Sequence, residues 1–336
     1  MNAAPRVSVL LPARDAGPTL AASLRSVQRQ TEARFECVVV DDGSNDGSAD
    51  LVRAFAARDA RFRLVSRPRA GLVAALEAGL AECRGAVVAR MDADDVMARD
   101  RLALQLDLLD ARPDLDAVGG HVRIFPRAGL SEGLREYERW LNGIRTTGDV
   151  RREAFVECPV AHPTLAIRTG TLRSLGYRTM GWPEDYDLVL RLLESHGSIG
   201  MVPRRLLAWR DHPGRLTRSG PEYRIDRFPR CKAAFLVRGF LAASERYILW
   251  GYGHTGRAIR RALLEHGREP SHVVELHPGR LGNSIHGAPV VPPEAIPDLP
   301  RSPLLASVAG AVARSRIRAA LREMGYLELE DFVCVA

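Results

Sequence analysis

Short apolar runs alternate with helical periods through the first half of the chain. "VSVLLPA" is followed by a helix over 18–30, "FECVVVDDG" by a helix over 47–59, and "FRLVSR" by a helix over 71–83, after which comes "AVVARMDADD". Buried strands that alternate with helices predict an α/β fold, a mostly parallel sheet with helices on both faces. In an open sheet of this kind ligands bind beyond the carboxyl ends of the strands. Pro12 to Asp15, Asp41 to Ser44 and Asp92 to Asp95 all fall at such ends.

The middle of the chain is less regular. "DAVGGHVRIF" and "AHPTLAIR" read as strands and "LREYERWLNGI" as a helix, with no order fixed among them. "PEDYDLVLRLLESHG" starts a helix with Pro183 near its first turn, acids at its positive end and Gly197 at its close. At "SERYILWGYGHTGRAIRRALLEHG" the pattern restarts. Strand, glycine-rich turn and helix are followed by "HVVEL", "PLLASVAG", a helix and "FVCVA", a second small Rossmann-like unit. The expected domains are 1–240 and 245–336. The proline-rich "GAPVVPPEAIPDLPRSP" reads as an ordered surface connection.

Composition narrows the function class. An apolar fraction of 46% and a charged fraction of 26% describe a globular protein. Five scattered cysteines, none in a CxxC pair, suggest neither a disulfide framework nor a zinc site and fit a reducing cytoplasm. No run approaches the roughly 18 apolar residues of a membrane span, and Pro12 and Asp15 interrupt any signal-peptide core. The net charge of +7 is matched by residues 201–246 alone, where ten arginines and Lys232 face four acids. That segment is either a solvated basic face or an anion site, and peripheral contact with anionic lipid is one form of the latter. No stacking aromatic series or nucleic-acid motif accompanies it, so nucleic acid is not an expected partner.

Asp92 and Asp94 are two residues apart, which in extended backbone places both carboxylates on one side. Paired carboxylates suit Mg²⁺ or Mn²⁺, with substrate phosphates completing the shell. The plain alternative is an Asp-rich turn that caps the helix beginning near Arg99. "VVVDDGSNDGS" has the same two readings, a ligand site at Asp41 and Asp42 or ordinary turn chemistry.

Taken together, "VSVLLPARD", "VVVDDGSNDGS", "GLVAALEAGLAECRG", "ARMDADD" and "WPEDYDLVLRL" occur in an order that resembles the nucleotide-sugar glycosyltransferases of family 2, which have the GT-A fold. The resemblance covers roughly residues 5–220. It implies a donor pocket lined by Pro12, Arg14, Asp15, Asp41, Asp42, Arg69 and Gly71, with Arg14 and Asp15 replacing the more usual Tyr-Asn pair. It implies that Asp92 faces the donor ribose and Asp94 ligates the metal, both counted as metal candidates, with Asp95 the aspartate that commonly follows. It implies that Glu184 and Asp185 are the late acidic motif, Asp185 acting as general base. "WRDHPGRLTRSG" resembles the segment that closes over the diphosphate, making His212 a metal ligand and Arg210 a phosphate partner. Asp187 is expected to meet helix backbone or solvent, and His162 has a buried structural reading beside an acceptor-side one.

The tail's Gly251, Gly253 and Gly256 form GxGxxG between a strand and a helix, with Glu275 where a ribose-binding acid would stand. NAD(P) or a nucleotide could bind there, or the glycines could serve strand–helix packing alone. The expected activity is a metal-dependent inverting glycosyltransferase, acting on a nucleotide-sugar donor and a glycan or lipid-linked acceptor. The alternatives are an NAD(P)-dependent sugar-nucleotide modifying enzyme centred on the tail, or a tail that is an interaction module.

Overall fold

The computed structural model describes residues 4–336. The chain begins with β1 (Val7–Ala13), α1 (Gly17–Gln28), β2 (Phe35–Asp42), α2 (Ser48–Ala56), β3 (Phe62–Arg67), α3 (Leu72–Glu82) and β4 (Val87–Arg90). It continues through β5 (Val96–Met97), α4 (Arg101–Ala111), β6 (Ala117–Phe125), α5 (Glu132–Leu141), α6 (Thr147–Glu153), β7 (Ala166–Arg168), α7 (Thr169–Leu175), α8 (Glu184–Glu194) and β8 (Ile199–Arg210). The remainder holds α9 (Leu216–Ser219), α10 (Arg227–Arg238), β9 (Arg246–Trp250), α11 (His254–Leu264), β10 (Glu269–Val274), β11 (Ser284–Ile285), β12 (Ala288–Val291), β13 (Leu304–Ala306), α12 (Ala311–Glu323) and β14 (Phe332–Cys334). Among the described residues no helix is long and apolar enough to cross a membrane.

Two compact units result. The first comprises Met1–Val150, Val160–Met180 and Arg191–Arg215, and the second Arg151–Pro159, Gly181–Leu190 and Leu216–Ala336. The second sheet begins at Arg246, inside the range expected for the tail domain, but packing draws earlier residues into that unit. Ala233 and Leu236 of α10 share one buried cluster with Leu241, Tyr247, Leu249 and Ile259, and the Lys232 ammonium donates to the carbonyls of Val156 and Val335 at 2.7 and 3.0 Å.

Among the described residues the first unit's sheet has eight strands in the order β3-β2-β1-β4-β7-β6-β8-β5. β1 to β4 are parallel, β6 and β8 are parallel, and β7 and β5 run antiparallel to their neighbours. The seven residues of β1 and the eight of β2 are all buried, as strands covered on both faces require. α1 turns Leu20, Leu24 and Val27 inward at helical spacing, each such burial stabilising by about 1.5–3 kcal/mol. Leu10 faces β4, and pairing of β1 with β4 stops at Leu10↔Arg90, so Pro12, two residues on and on the same side, costs the ladder no bond.

In the second unit the order is β11-β12-β10-β9-β13-β14, parallel except for the β11–β12 pair. Counted along the chain, its parallel strands follow the Rossmann order 3-2-1-4-5, with the change of direction between β9 and β13. The proline-rich stretch is ordered, as expected, and contributes β12 and a 3₁₀ segment, Pro293–Asp298.

Candidate active site

The carboxyl end of β4 runs into the aspartate turn, and one oxygen from each of Asp92, Asp94 and Asp95 lies within 4.8 Å of the others. The turn leads into strand β5, not directly into a helix as the capping reading expects; α4 starts later, at Arg101, with Asp100 as its N-cap. Val96↔Ala208 and Met97↔Leu207 pair β5 with β8, and this pairing carries Arg210 and His212 to the turn.

Each carboxylate has a different environment. Asp92 Oδ1 accepts from the Arg90 guanidinium at 2.6 Å. Asp94 Oδ2 lies 2.8 Å from His212 Nε2. Asp95 Oδ1 accepts the Arg210 backbone N–H at 2.7 Å, while its Oδ2 is buried with no hydrogen-bond partner. Burial, followed by the charges of Asp92 and Asp94, holds Asp95 well above the usual carboxylate range. A buried carboxylate oxygen without a donor is costly, and a divalent cation is the chemistry that relieves it, so the oxygen-rich donor set fits a hard ion.

Arg210 supports the turn. Its Nε donates to the Asp94 carbonyl at 2.7 Å and its guanidinium lies over the Phe125 ring, 4.5 Å from the centroid. Two further arginines escaped the sequence reading. Arg90 is a buried charge in an apolar strand immediately before the aspartates, a signal that was available. Arg101 is fully buried, and burial lowers it to about 9 despite the attraction of Asp95 and Asp92; its Nη2 donates to the Arg90 carbonyl at 2.8 Å.

At the neighbouring strand ends, Asp42 is buried and its two oxygens accept the backbone N–H groups of Ala70 and Gly71 at 2.9 and 2.8 Å. Asp42 therefore shapes the loop carrying exposed Arg69, and Gly71 is the N-cap of α3 at φ +93°. Asp41 Oδ1 accepts from Ser44 N at 3.3 Å. Asp15 adopts φ +47° and locks the β1 and β2 ends together, donating its N–H to Ser44 Oγ and accepting from Asn45 N, both at 2.9 Å. Arg14 is exposed beside it. His162 is buried against Tyr177 Oη at 3.1 Å, and burial lowers its pKa well below the usual value, so its structural reading describes it.

In the second unit, Glu184 and Asp185 open α8. Glu184 is 5% exposed and accepts from the Tyr223 hydroxyl at 2.9 and 2.7 Å. Asp185 accepts the Tyr186 N–H at 2.7 Å, and burial, then the charge of Glu184, push it up to about 8. Asp187 does not face solvent. It is fully buried and accepts from the Trp182 indole N–H at 3.1 Å. No local pattern in the sequence pointed to Tyr223, because its partner is 39 residues away.

The glycine turn of the tail is present between β9 and α11. Tyr252 N–H donates to Glu275 Oε1 at 2.8 Å and Arg280 pairs with the same oxygen at 3.0 Å. Gly251 has φ +94°. A Cβ on Gly256 would stand 2.2 Å from the Gly251 carbonyl oxygen, whereas one on Gly253 would meet nothing within 4 Å. Packing accounts for Gly256, and Gly253 faces open space. Much of the basic segment is internally engaged: Arg215 lies over Trp209 and Arg238 over Phe235, Arg204 pairs with Asp100, and Arg230 pairs with Glu265.

Comparison with known proteins places this geometry. A family model described as glycosyl transferase family 2 matches residues 8–172. The putative glycosyltransferase EpsE of Bacillus subtilis is 30% identical over 200 residues, covering 58% of this chain and 69% of EpsE. The amylovoran biosynthesis glycosyltransferase AmsE of Erwinia amylovora is 30% identical over 189 residues, covering 55% and 67% of the two chains. Among solved structures, S. aureus TarS 1–349 in complex with UDP-GlcNAc superposes with TM-score 0.57 at 16% identity, covering 78% of this chain and 72% of that one. The mannosyltransferase PcManGT from Pyrobaculum calidifontis, in complex with GDP-Man and Mn²⁺, gives 0.51 at 23% identity, covering 79% and 70%. These likenesses establish the GT-A fold.

Proposed function

The chain belongs to glycosyl transferase family 2, and on that premise we propose that it is a metal-dependent inverting transferase. It moves a sugar from a nucleotide-sugar donor, of the UDP or dTDP class, to a hydroxyl of a glycan or lipid-linked acceptor. The observation that supports this most is the aspartate turn, three clustered carboxylates one of which has a buried oxygen without a donor.

Asp92, Asp94 and His212 would hold Mg²⁺ or Mn²⁺, which when bound would supply positive charge against the diphosphate leaving group. Arg210 keeps the turn in place, its backbone N–H on the Asp95 carboxylate and its Nε on the Asp94 carbonyl, and Asp42 fixes the Arg69–Gly71 loop that lines the donor pocket. Asp185 takes the acceptor proton. The acceptor oxygen bonds to the anomeric carbon as the bond from that carbon to the phosphate oxygen breaks, and the nucleoside diphosphate departs. A single displacement inverts the anomeric centre. A base whose pKa lies near the working pH suits proton removal during attack.

The ligands named for the structural neighbours, UDP-GlcNAc for TarS and GDP-Man with Mn²⁺ for PcManGT, support a nucleotide-sugar donor and a divalent metal. AmsE's place in amylovoran biosynthesis supports a role in polysaccharide synthesis. The NAD(P)-dependent alternative rests on the glycine turn alone. A thermal-shift panel of UDP-, dTDP-, GDP- and CMP-sugars with and without Mn²⁺ tests the reading, since a ligand of the native state raises Tm. Stabilisation by one donor that needs the metal is expected; stabilisation by NAD(P) and by no sugar nucleotide would replace this proposal with the alternative.

A further inference from the structure

We propose that Tyr223 is a positioning residue of the transfer reaction, clamping the Glu184 carboxylate and so setting the charge that its neighbour Asp185 feels. The proposal rests on the reading of Asp185 as the base.

The geometry is specific. The 3₁₀ turn Pro221–Tyr223 presents one hydroxyl to both oxygens of a carboxylate that is 5% exposed. Gly220 leaves room for the ring, since an added Cβ would stand 3.1 Å from Tyr223 Cδ2 and 2.9 Å from the Leu216 carbonyl oxygen. A phenol O–H donates and an ionised carboxylate accepts, so this bond favours the charged form of Glu184. The groups that act on Asp185 are Glu184 and Tyr186 of its own helix, Glu157 of the preceding segment and Cys231 of α10. Of these, the Glu184 charge has the largest influence.

The consequence has a definite sign. With Tyr223 in place the charged form of Glu184 is favoured, and that charge raises the neighbouring Asp185 carboxyl. Without the hydroxyl, Glu184 takes a proton more readily, its repulsion of the Asp185 carboxylate falls, and Asp185 ionises at lower pH. A residue that only filled space would leave this titration where it was.

The test is a ¹³C NMR titration of the full chain labelled at aspartate carboxyls, with the Asp185 resonance assigned by its loss in Asp185→Asn. Tyr223→Phe is expected to lower the Asp185 midpoint by about 0.5–1 pH unit, and Glu184→Gln by more. Gly220→Ala, which displaces the ring without removing the hydroxyl, is expected to move it in the same direction and decides the matter if Tyr223→Phe does not fold. An Asp185 midpoint that moves in Glu184→Gln but stays put in folded Tyr223→Phe or Gly220→Ala overturns the proposal. Turnover of the sugar nucleotide selected by the thermal-shift panel separates the two claims. If its pH dependence ignores a midpoint that Tyr223 demonstrably moves, the clamp stands and the assignment of Asp185 as base falls.

Discussion

His212 Nε2 lies 2.8 Å from Asp94 Oδ2, joining the segment after β8 to the turn after β4, residues 118 apart in sequence. The contact exists because β5 pairs with the end of β8, and it makes the aspartate cluster a product of sheet pairing as well as of a local motif. His212→Ala is expected to weaken Mn²⁺ binding by about 10–100-fold and leave the fold intact. Mn²⁺ titration by electron paramagnetic resonance measures it, and wild-type affinity in the variant would remove His212 from the ligand set.

Asp95 offers a buried oxygen with no donor. Asp95→Asn preserves the shape and can keep Oδ1 for the Arg210 N–H, but replaces a charged acceptor with an amide. Mn²⁺ affinity is expected to drop by about tenfold or more, while thermal stability without metal rises or holds, because burial already disfavours the charged carboxylate. Calorimetric titration with Mn²⁺ and a metal-free melt read the two effects.

Asp42 spends both oxygens on the Ala70 and Gly71 amides. Asp42→Ala leaves those amides without their acceptor, which costs about 1–3 kcal/mol. The expected result is a donor KM raised by roughly 5–100-fold with a smaller change in kcat, measured by steady-state donor turnover. An unchanged KM would mean that the loop does not line the donor pocket.

Asp185 gives the pH dependence its sign. Its folded-state pKa is raised to about 8, so the base is protonated below that value and kcat/KM should rise with pH through a midpoint near 8. The same shift lowers stability as pH climbs from the ordinary carboxylate range through 8, because the folded state holds the proton more tightly than the unfolded chain. Asp185→Asn should flatten that decline. Denaturation at several pH values checks it.

Gly256 and Gly253 separate packing from openness in the tail. Gly256→Ala would force a methyl to within 2.2 Å of the Gly251 carbonyl oxygen and should destabilise the second unit by about 2–4 kcal/mol, whereas Gly253→Ala should stay within about 0.5 kcal/mol. Hydrogen exchange in β9 and α11 resolves the two.

The α/β class and the strand ends were legible because β1, β2 and β4 are apolar runs that stop abruptly at polar residues, a signature of strands buried on both faces. "AHPTLAIR" was read as one strand, but only Ala166–Arg168 pairs, since His162–Thr164 turn as a 3₁₀ helix ahead of it. β8, with its exposed Pro203–Arg205 stretch, and two-residue β5 carry too little periodicity to be seen. Yet those two strands place Arg210 and His212. Of the buried charges that organise the site, Arg90 is marked by its place at the end of an apolar strand, whereas burial of Arg101 follows from tertiary partners that local pattern does not encode. The burial of Asp187 and the partner of Tyr223, 39 residues away, likewise depend on tertiary placement.

The most direct measurement is Mn²⁺-dependent turnover of the sugar nucleotide that stabilises the chain, scoring hydrolysis as well as transfer, in wild type, Asp94→Ala and Asp185→Asn. Loss of metal-dependent turnover in Asp94→Ala and a fall of about 10²–10⁴-fold in transfer by Asp185→Asn are predicted. Turnover retained in both variants would contradict the assignment of metal ligand and base.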